Sequence, residues 1–507
     1  MSKRNYYLKI SVIMALIFQI VNAVYGLVLP KLYLTYYGSE INGLVSSITQ
    51  YLSLISFCEL GVGAVVQSAL YKPLAKKDND AINGIMAESR HFFKGIAIIL
   101  ALYVIAIVFL YPKLSSTHYS FFTTTCLILA TAINLFSQYY FGLANQLLLN
   151  ADQKVYINYV IQIVTTVATA VCSATLIIKG FSIELVKIIS SLVLLLRPVM
   201  LSIYVKRNYS IKPVASQKEW LTQKWNGMAQ HIAHVVVDQT DVVVLTAFST
   251  LINVSIYHVY YMVVLGIRQL LIYASSGVQS MLGNVVAIEN ENEIKRIFGH
   301  TEWLFHNGCT LLFAITAVLI VPFIRVYTNN ISDAQYILPI FAYLIVAAQF
   351  AYCIRQPYIM LVKAVGHYKE TQTSAIIEAV LNITLSIVLV KVCGLIGVAI
   401  GTIVAMGYRT LYLVLYIKQS LINRTMFDFW KLIILDICII GCSFFVCGFF
   451  DMNSISYYSW ILLAFKCSAV CLLICLAFNY LFYFESTNQV IKKLLSKMQN
   501  GGLKNDI

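Results

Sequence analysis

The stretch VVQSAL at residues 65–70 returns as GVQSML at 277–282, 212 residues further along the chain. The same shift places RPVMLSIYVK at 197–206 over RTLYLVLYIK at 409–418. It also aligns KKDNDA and IENENE, the polar linkers that follow the first pair. One offset that works at two distant places predicts an internal duplication.

Composition places the two halves in a membrane. Hydrophobic residues make up 60% of the chain and charged residues 11%, which is more apolar surface than a soluble core buries. Apolar runs of about 20 residues, the length that a membrane-spanning helix needs, recur throughout. The fourteen predicted helices lie at 10–35, 43–70, 92–112, 120–149, 155–179, 183–205, 225–250, 254–284, 303–327, 335–362, 372–391, 394–417, 431–450 and 457–483.

The distribution of Lys and Arg predicts the orientation. The first apolar run lacks a small-x-small cleavage site and continues through Pro30, so we expect it to remain as the first helix. Most of the 36 basic residues fall in alternate loops, which the positive-inside rule assigns to the cytoplasm. Both termini are therefore predicted to be cytoplasmic. The net charge of +14 is mainly this topological signal, and nucleic acid is not an expected partner.

Each repeat holds six helices, so both halves have one orientation and a pseudo-two-fold axis along the membrane normal. The fold class is all-α integral membrane, with two parallel six-helix repeats and two C-terminal helices. The predicted organisation is an N-terminal lobe at 1–210, a cytoplasmic linker at 211–224, a C-terminal lobe at 225–420, accessory helices at 421–485 and a basic cytoplasmic tail at 486–507.

This architecture favours a transporter over an enzyme. A parallel duplication creates a midplane site between rocking lobes. The predicted outer loops, such as YPKLSSTHYS, are short, whereas an enzyme acting on lipid-linked sugars normally displays a large one. The cysteines follow apolar helical stripes and lack CxxC spacing, so we interpret them as packing residues and expect no metal.

Three segments carry a resemblance to a known family: YYGSEINGLVSSITQY at 36–51, VSIYHVYYMVVLGIRQLLIYASSGVQSMLGN at 254–284 and GLIGVAIGTIVAM at 394–406. The chain resembles the polysaccharide-repeat flippases, the Wzx-type O-antigen and capsule translocases of the multidrug/oligosaccharidyl-lipid/polysaccharide exporter superfamily. The resemblance implies a bacterial cytoplasmic-membrane protein that flips an undecaprenyl-diphosphate-linked glycan. It also implies that helices one, two, seven and eight line a central cavity. Membrane lipids and the polysaccharide polymerase complex are the other candidate partners.

Those four helices carry polar stripes at helical spacing. A charge at mid-bilayer is unfavourable by about 2.5–3.5 kcal/mol on insertion scales, so each retained one suggests a function. Hydrogen bonding between helices is the alternative explanation. The stripes are Gln19, Asn22, Gly26 and Pro30 on helix one, Ser56, Glu59, Gly63 and Gln67 on helix two, His231, His234, Asp238 and Asp241 on helix seven, and Tyr257, Tyr261, Arg268, Ser275 and Gln279 on helix eight.

The internal repeat helps to rank the charged residues inside the predicted helices as candidates for substrate binding. Arg197 and Arg409 occupy equivalent repeat positions, which favours a structural role or snorkelling over substrate selection, although gating stays open. Arg268 breaks the symmetry and is the first candidate for binding diphosphate, because its planar fork of donors matches phosphate oxygens. Arg355 and Lys31 come next, and an ion pair with Glu378 is the alternative for Arg355. The remaining substrate-binding candidates are Tyr257, Tyr261, Gln19 and Asn22.

Helix seven also suggests coupling. Asp238 and Asp241 lie one turn apart, with His231 and His234 on the same face, so one carboxylate is expected to take up H⁺ or bind Na⁺. Arg268 is the candidate counter-charge, and a fixed structural pair is the alternative. Glu59 joins the coupling and gating candidates, and no cofactor beyond the ion is expected. The alternative functions are a cation-coupled multidrug exporter of the same superfamily and a scaffold of the polysaccharide assembly complex.

Overall fold

A computed structural model of the chain describes residues 3–59, 61–115, 119–210, 228–288, 291–488 and 492. All regular secondary structure within these ranges is helical, as the sequence predicts. The predicted linker at 211–224 lies outside the described residues, as does most of the predicted tail at 486–507. The accessory pair and the lobe boundaries remain predictions from the sequence.

Thirteen helical stretches in the described part of the chain are long and apolar enough to cross a membrane. The first of them, Ile10–Glu59, has 50 residues and contains two helices that meet at a kink at Gly38. Gly38 has φ 85° and ψ 174°, a backbone conformation that glycine adopts readily because it has no Cβ. The first arm corresponds to the first predicted helix. The second predicted helix, 43–70, is not continuous: it is interrupted by the 3₁₀ helix Leu54–Glu59 and by Gly61, whose φ is 74°, and its second half lies in the helix Val62–Lys76. The all-helical, multi-pass membrane fold is thereby confirmed, whereas the sequence repeat remains a prediction.

The chain divides into two compact units, which are described separately. The first unit contains Met1–Met262, Asn330–Ala334 and Ala375–Gly401. The second unit contains Val263–Asn329, Gln335–Ser374 and Thr402–Ile507.

The first unit holds nine complete helices among its described residues and the start of a tenth. They are α1 Lys3–Ser53, α2 Val62–Lys76, α3 Asn79–Leu114, α4 Phe121–Ser137, α5 Leu143–Ala151, α6 Val155–Ile178, α7 Ile183–Leu194, α8 Leu196–Asn208, α9 Met228–Phe248 and α10 Leu251–Ile288, which continues into the second unit. A 3₁₀ helix at Leu54–Glu59 follows α1, and a π-helix at Gln138–Gly142 joins α4 to α5.

Local sequence explains where these helices begin and what they bury. Asp78 caps α3 because its carboxylate accepts a hydrogen bond from the Ala81 N–H at 3.0 Å. Leu44, Ile48 and Leu52, spaced one turn apart, are fully buried and form the inner stripe of the second arm of α1. They belong to a continuous apolar core that positions the polar residues of this arm.

The second unit is built from the end of α10 and the helices that follow it. These are α11 Glu291–Tyr327, α12 Pro339–Ile354, α13 Gln356–Ala364, α14 Gln372–Cys393, α15 Leu395–Ser420, α16 Met426–Cys447 and α17 Tyr457–Phe482. Part of α14 and of α15 belongs to the first unit.

A buried polar network attaches α16 to α11. His306 Nδ1 lies 2.6 Å from Asp436 Oδ2, and the Thr310 hydroxyl donates to Asp436 Oδ1 at 2.6 Å. One turn earlier on α11, Glu302 lies 2.9 Å from Arg424 Nη1. Buried charges need partners of this kind, since removing one member leaves the other desolvated. Helix α16 is therefore fixed to α11 by specific contacts as well as by apolar packing.

Candidate functional site

In the first unit, the deeper aspartate of helix seven lies against the tyrosines of helix eight. Asp241 is buried in α9, and the Tyr257 hydroxyl of α10 donates to its Oδ2 at 2.8 Å. The ring of Tyr261, one turn further along α10, stacks on Tyr257 with centroids 5.5 Å apart. One carboxylate and two aromatic faces are therefore contiguous, an arrangement that suits a cation.

The other members of the helix-seven stripe are more accessible. Asp238 is half-buried, and its Oδ2 lies 3.7 Å from Nε2 of His234, one turn earlier. His231 places Nε2 3.0 Å from the carbonyl oxygen of Ser56, in the 3₁₀ helix that follows α1. The stripe thus shares one helix face, and its members have different environments.

The second arm of α1, residues 39–53, contacts α9, the start of α10 and residues 330–334 through a row of polar side chains. We call this row the polar ladder. Its five side-chain hydrogen bonds are Ser39 Oγ to Asp333 Oδ1 at 2.7 Å, Asn42 Nδ2 to Ser255 Oγ at 2.8 Å, Ser47 Oγ to Thr246 Oγ1 at 2.7 Å, Ser53 Oγ to Gln239 Oε1 at 2.8 Å, and Gln50 Nε2 to the same Gln239 oxygen.

Gly43 makes the close approach of the ladder possible. A Cβ built on Gly43 would lie 1.8 Å from the carbonyl oxygen of Leu251, so only glycine fits there. Ser39, Gly43 and Ser47 form a small-xxx-small series, the sequence signal of tightly packed membrane helices. These residues lie in the segment 36–51 that carries part of the family resemblance, but the sequence alone did not predict that its polar residues form a contact surface.

The far end of the ladder is acidic. Asp333 accepts two hydrogen bonds from Ser39, from the hydroxyl and from the backbone N–H at 2.6 Å. Burial raises the pKa of nearby Tyr119, and the carboxylates of Glu40 and Asp333 raise it further because they disfavour a phenolate. The remaining rungs join neutral groups. They can separate without stranding a charge in hydrocarbon.

In the second unit, two candidate arginines meet at one aromatic ring. The guanidinium carbon of Arg268 lies 3.7 Å from the ring centroid of Tyr352, and that of Arg355 lies 4.5 Å from the same centroid. Both arginines are almost completely buried. Gln349, one turn before Tyr352 on α12, places Oε1 3.4 Å from Arg268 Nη1. We call Arg268 and Arg355 the arginine pair.

The sequence predicted both arginines but not the residues that position them. Tyr352 and Gln349 lie inside an apolar run, where a tyrosine and a glutamine on one helix face resemble ordinary packing residues. Desolvated guanidinium groups keep their full charge, and Arg has five N–H donors to offer. Two such groups contact one ring, that of Tyr352.

The remaining candidate residues do not belong to the helix-seven cluster, the polar ladder or the arginine pair. Glu59 is half-buried and accepts a hydrogen bond from Tyr139 of the π-helix at 2.6 Å. Lys31 and Gln19 are half-buried on α1, whereas Asn22 is exposed. Arg197 is half-buried in α8, and Arg409 is buried in α15. Their assigned functions remain predictions.

Comparison with solved structures finds membrane transporters of similar fold. The lipid II flippase MurJ, in its inward closed conformation, matches with a TM-score of 0.69 at 18% identity, over 93% of this chain and 99% of that chain. A multidrug resistance MATE family transporter of the MOP superfamily matches in its inward-facing conformation, with a TM-score of 0.57 at 12% identity over 78% of this chain and 95% of that chain.

An outward-facing MATE structure matches with a TM-score of 0.52 at 13% identity, over 81% of this chain and 94% of that chain. The chain has the fold of these proteins. No family model matches the chain, and no curated protein does. The chain therefore shares its fold with these transporters, over nearly the whole length of the flippase, and the Wzx-type assignment remains a prediction.

Proposed function

We propose that the chain is a flippase that moves an undecaprenyl-diphosphate-linked oligosaccharide repeat unit from the cytoplasmic to the outer leaflet for surface polysaccharide synthesis. The observation that supports this function best is the arginine pair. Two buried guanidinium groups at one ring suit a diphosphate, which has two negative charges and many acceptor oxygens. The lipid II flippase MurJ has a similar fold over almost all of this chain.

The polar ladder supplies the gate of this proposal. In the orientation predicted from Lys and Arg, residues 36–43, 249–253 and 327–335 face outward, so the ladder closes the outer side. Four of its five rungs link neutral groups, each hydrogen bond worth about 0.6 kcal/mol in a membrane protein, and the fifth joins Ser39 to the carboxylate of Asp333. Several weak hydrogen bonds together hold such a gate closed. The equilibrium between the closed and open gate shifts when cargo binds one of the two states more tightly by a few kcal/mol.

The helix-seven cluster supplies the coupling site. Asp241 with Tyr257, and Asp238 with His234, are the groups that would take up H⁺ or bind Na⁺ from the outer side. Both termini are placed in the cytoplasm and the protein in the bacterial cytoplasmic membrane. No catalytic step is part of this function.

The test is direct binding of undecaprenyl diphosphate to purified protein, measured by native mass spectrometry. Arg268→Ala and Arg355→Ala should each weaken binding, and Arg268→Lys should weaken it less because it keeps the charge and loses the fork. Arg296→Ala is the matched control, since that side chain is largely exposed and pairs with Glu293. Undecaprenol, which lacks phosphate, should bind all variants equally weakly. Unchanged diphosphate binding in both alanine variants removes the arginine pair from the site.

A cation-coupled multidrug exporter is the second candidate, and the cluster of Asp241, Tyr257 and Tyr261 favours it, because carboxylate and aromatic faces bind organic cations. A cationic dye separates the two functions. If dye is exported and undecaprenyl diphosphate does not bind, the exporter is correct.

A further inference from the structure

A groove on the first unit has the features of a lipid site. It has a volume of about 530 Å³ and lies between α3, α4 and the start of α8. Apolar side chains line it, among them Leu100, Val104, Ile105, Phe136, Phe141 and Val199. Ile105, Phe141 and Val199 are exposed, so the groove opens on the surface of the helices rather than into the core.

One end of the groove is basic. The Lys94 ammonium lies 5.0 Å from the ring centroid of Tyr140. That ring stacks on Phe136 with centroids 5.6 Å apart and meets Phe141 edge-on at 4.6 Å. Two aromatic residues that line the groove therefore hold the tyrosine over which the ammonium is placed.

The α3 helix continues this arrangement along its axis. Arg90, Lys94, Ala101 and Ile105 recur at spacings of four and seven, so they share one helix face. The Arg90 Nη2 donates to Asn145 Oδ1 at 3.1 Å, which fixes the guanidinium beside α5. Two cations thus stand about one turn apart, and the apolar groove begins about 9 Å further along α3.

The π-helix at Gln138–Gly142 explains why the groove ends there. The wide turn directs Tyr139 to Glu59 and the adjacent Tyr140 to Lys94, so neighbouring tyrosines serve opposite faces. Gly142 lets α8 approach, since a Cβ at this position would lie 3.3 Å from the Cβ of Pro198. π-Turns of this kind occur frequently at functional sites.

We propose that this groove binds one acyl chain of an anionic phospholipid, with the lipid phosphate at Lys94 and Arg90. In the predicted orientation these cations lie on the cytoplasmic side, where anionic headgroups meet basic residues. The groove alone gives little affinity, because bilayer chains are as apolar as its walls. The charge of the headgroup therefore determines which lipid is retained. The shape of the groove determines whether a lipid is retained at all.

The test uses the full chain purified in detergent with an equimolar mixture of phosphatidylglycerol and phosphatidylcholine, and native mass spectrometry counts the lipids retained. The parent should retain phosphatidylglycerol preferentially. Lys94→Gln should reduce that preference about fivefold, the contribution of one basic residue at a membrane surface. Ala101→Trp should fill the groove and lower retention of both lipids. Ala101 is exposed, so the larger ring does not disturb the core.

Lys113→Gln is the matched control. Lys113 lies on the same helix, exposed and about 28 Å from Lys94 along the axis, so its loss should leave the preference unchanged. Equal preference in Lys94→Gln and Lys113→Gln overturns the proposal. Retention of undecaprenyl phosphate in place of phosphatidylglycerol, when both are offered, also overturns it, because the site then belongs to a different lipid. The result is independent of transport.

Discussion

Replacing Gly43 by alanine should open the polar ladder. A Cβ at Gly43 would lie 1.8 Å from the carbonyl oxygen and 2.7 Å from the carbonyl carbon of Leu251. Ordinary contact needs about 3.5 Å, so the second arm of α1 and the start of α10 must separate by more than 1 Å. Both partners in this clash are backbone or attached directly to it, and no rotamer change relieves it.

The structure sets the size of the effect. A separation of this size breaks the two nearest rungs, Asn42 to Ser255 and Ser47 to Thr246, which are hydrogen bonds of 2.8 and 2.7 Å. At about 0.6 kcal/mol for each bond, the loss is about 1 kcal/mol, and it reaches about 3 kcal/mol if all five rungs part. The closed arrangement should therefore lose population by a factor between about 5 and about 150.

Disulfide formation between Ser47→Cys and Thr246→Cys measures this population, in a background without the native cysteines. The two hydroxyl oxygens lie 2.7 Å apart, so sulfurs in their place can bond. The cysteine pair replaces the Ser47–Thr246 rung, so Gly43→Ala should slow the cross-linking by about threefold or more, through loss of the Asn42–Ser255 rung at about 0.6 kcal/mol. Gly26→Ala on the same helix is the control, because a Cβ at Gly26 has nothing within 4 Å. Equal cross-linking rates in the two variants would show that the close approach at Gly43 does not hold the ladder closed.

Three further outcomes follow from the site and from the accessory helices. Asp241→Asn and Asp238→Asn should each remove the dependence of transport on the ion gradient while leaving diphosphate binding intact; loss of folding in both, seen as loss of expression, would assign them a structural role instead. Asp436→Asn should lower the free energy of unfolding by about 3–5 kcal/mol, because His306 loses its buried partner. In detergent, its melting temperature should be well below that of the control Asp428→Asn, which changes an exposed residue at the start of the same helix. Ser332→Cys should react with an impermeant maleimide added outside the cell, and protection of this site would reverse the predicted orientation.

The sequence predicts the helices well because membrane insertion depends on local composition. Each apolar run must hydrogen-bond its own backbone within about 30 Å of hydrocarbon, whatever its neighbours are. The kink at Gly38 also lies between two predicted runs. Arg268, Arg355 and Asp241, which the sequence singles out as charges inside spans, are buried, since an ion facing lipid is unfavourable.

The sequence does not predict which residues contact each other across the fold. Tyr352 lies far along the chain from Arg268, and nothing in its run distinguishes it from the other tyrosines. The ladder was missed for a different reason. Serine, asparagine and glycine are weak signals at every position of a helix, and only their alignment against α9 and α10 shows that they form a surface. The insertion free energy of single residues thus predicted which polar and charged residues inside the helices are unusual. Tertiary packing determines which of those residues contact each other.

The proposed cycle requires neutral contacts at the gate and charged groups at the substrate site. A gate must open and close in every cycle, so its contacts have to be broken repeatedly at small free-energy changes. Neutral rungs such as Ser47 to Thr246 meet this condition, because a parted hydroxyl still bonds its own helix, as Thr246 does to Val242 at 2.7 Å. A buried guanidinium has no such fallback, and stranding it is unfavourable by several kcal/mol. In the proposed function, Arg268 and Arg355 therefore suit a site that stays assembled around Tyr352 throughout the cycle, so that a diphosphate would meet the same charges in each state.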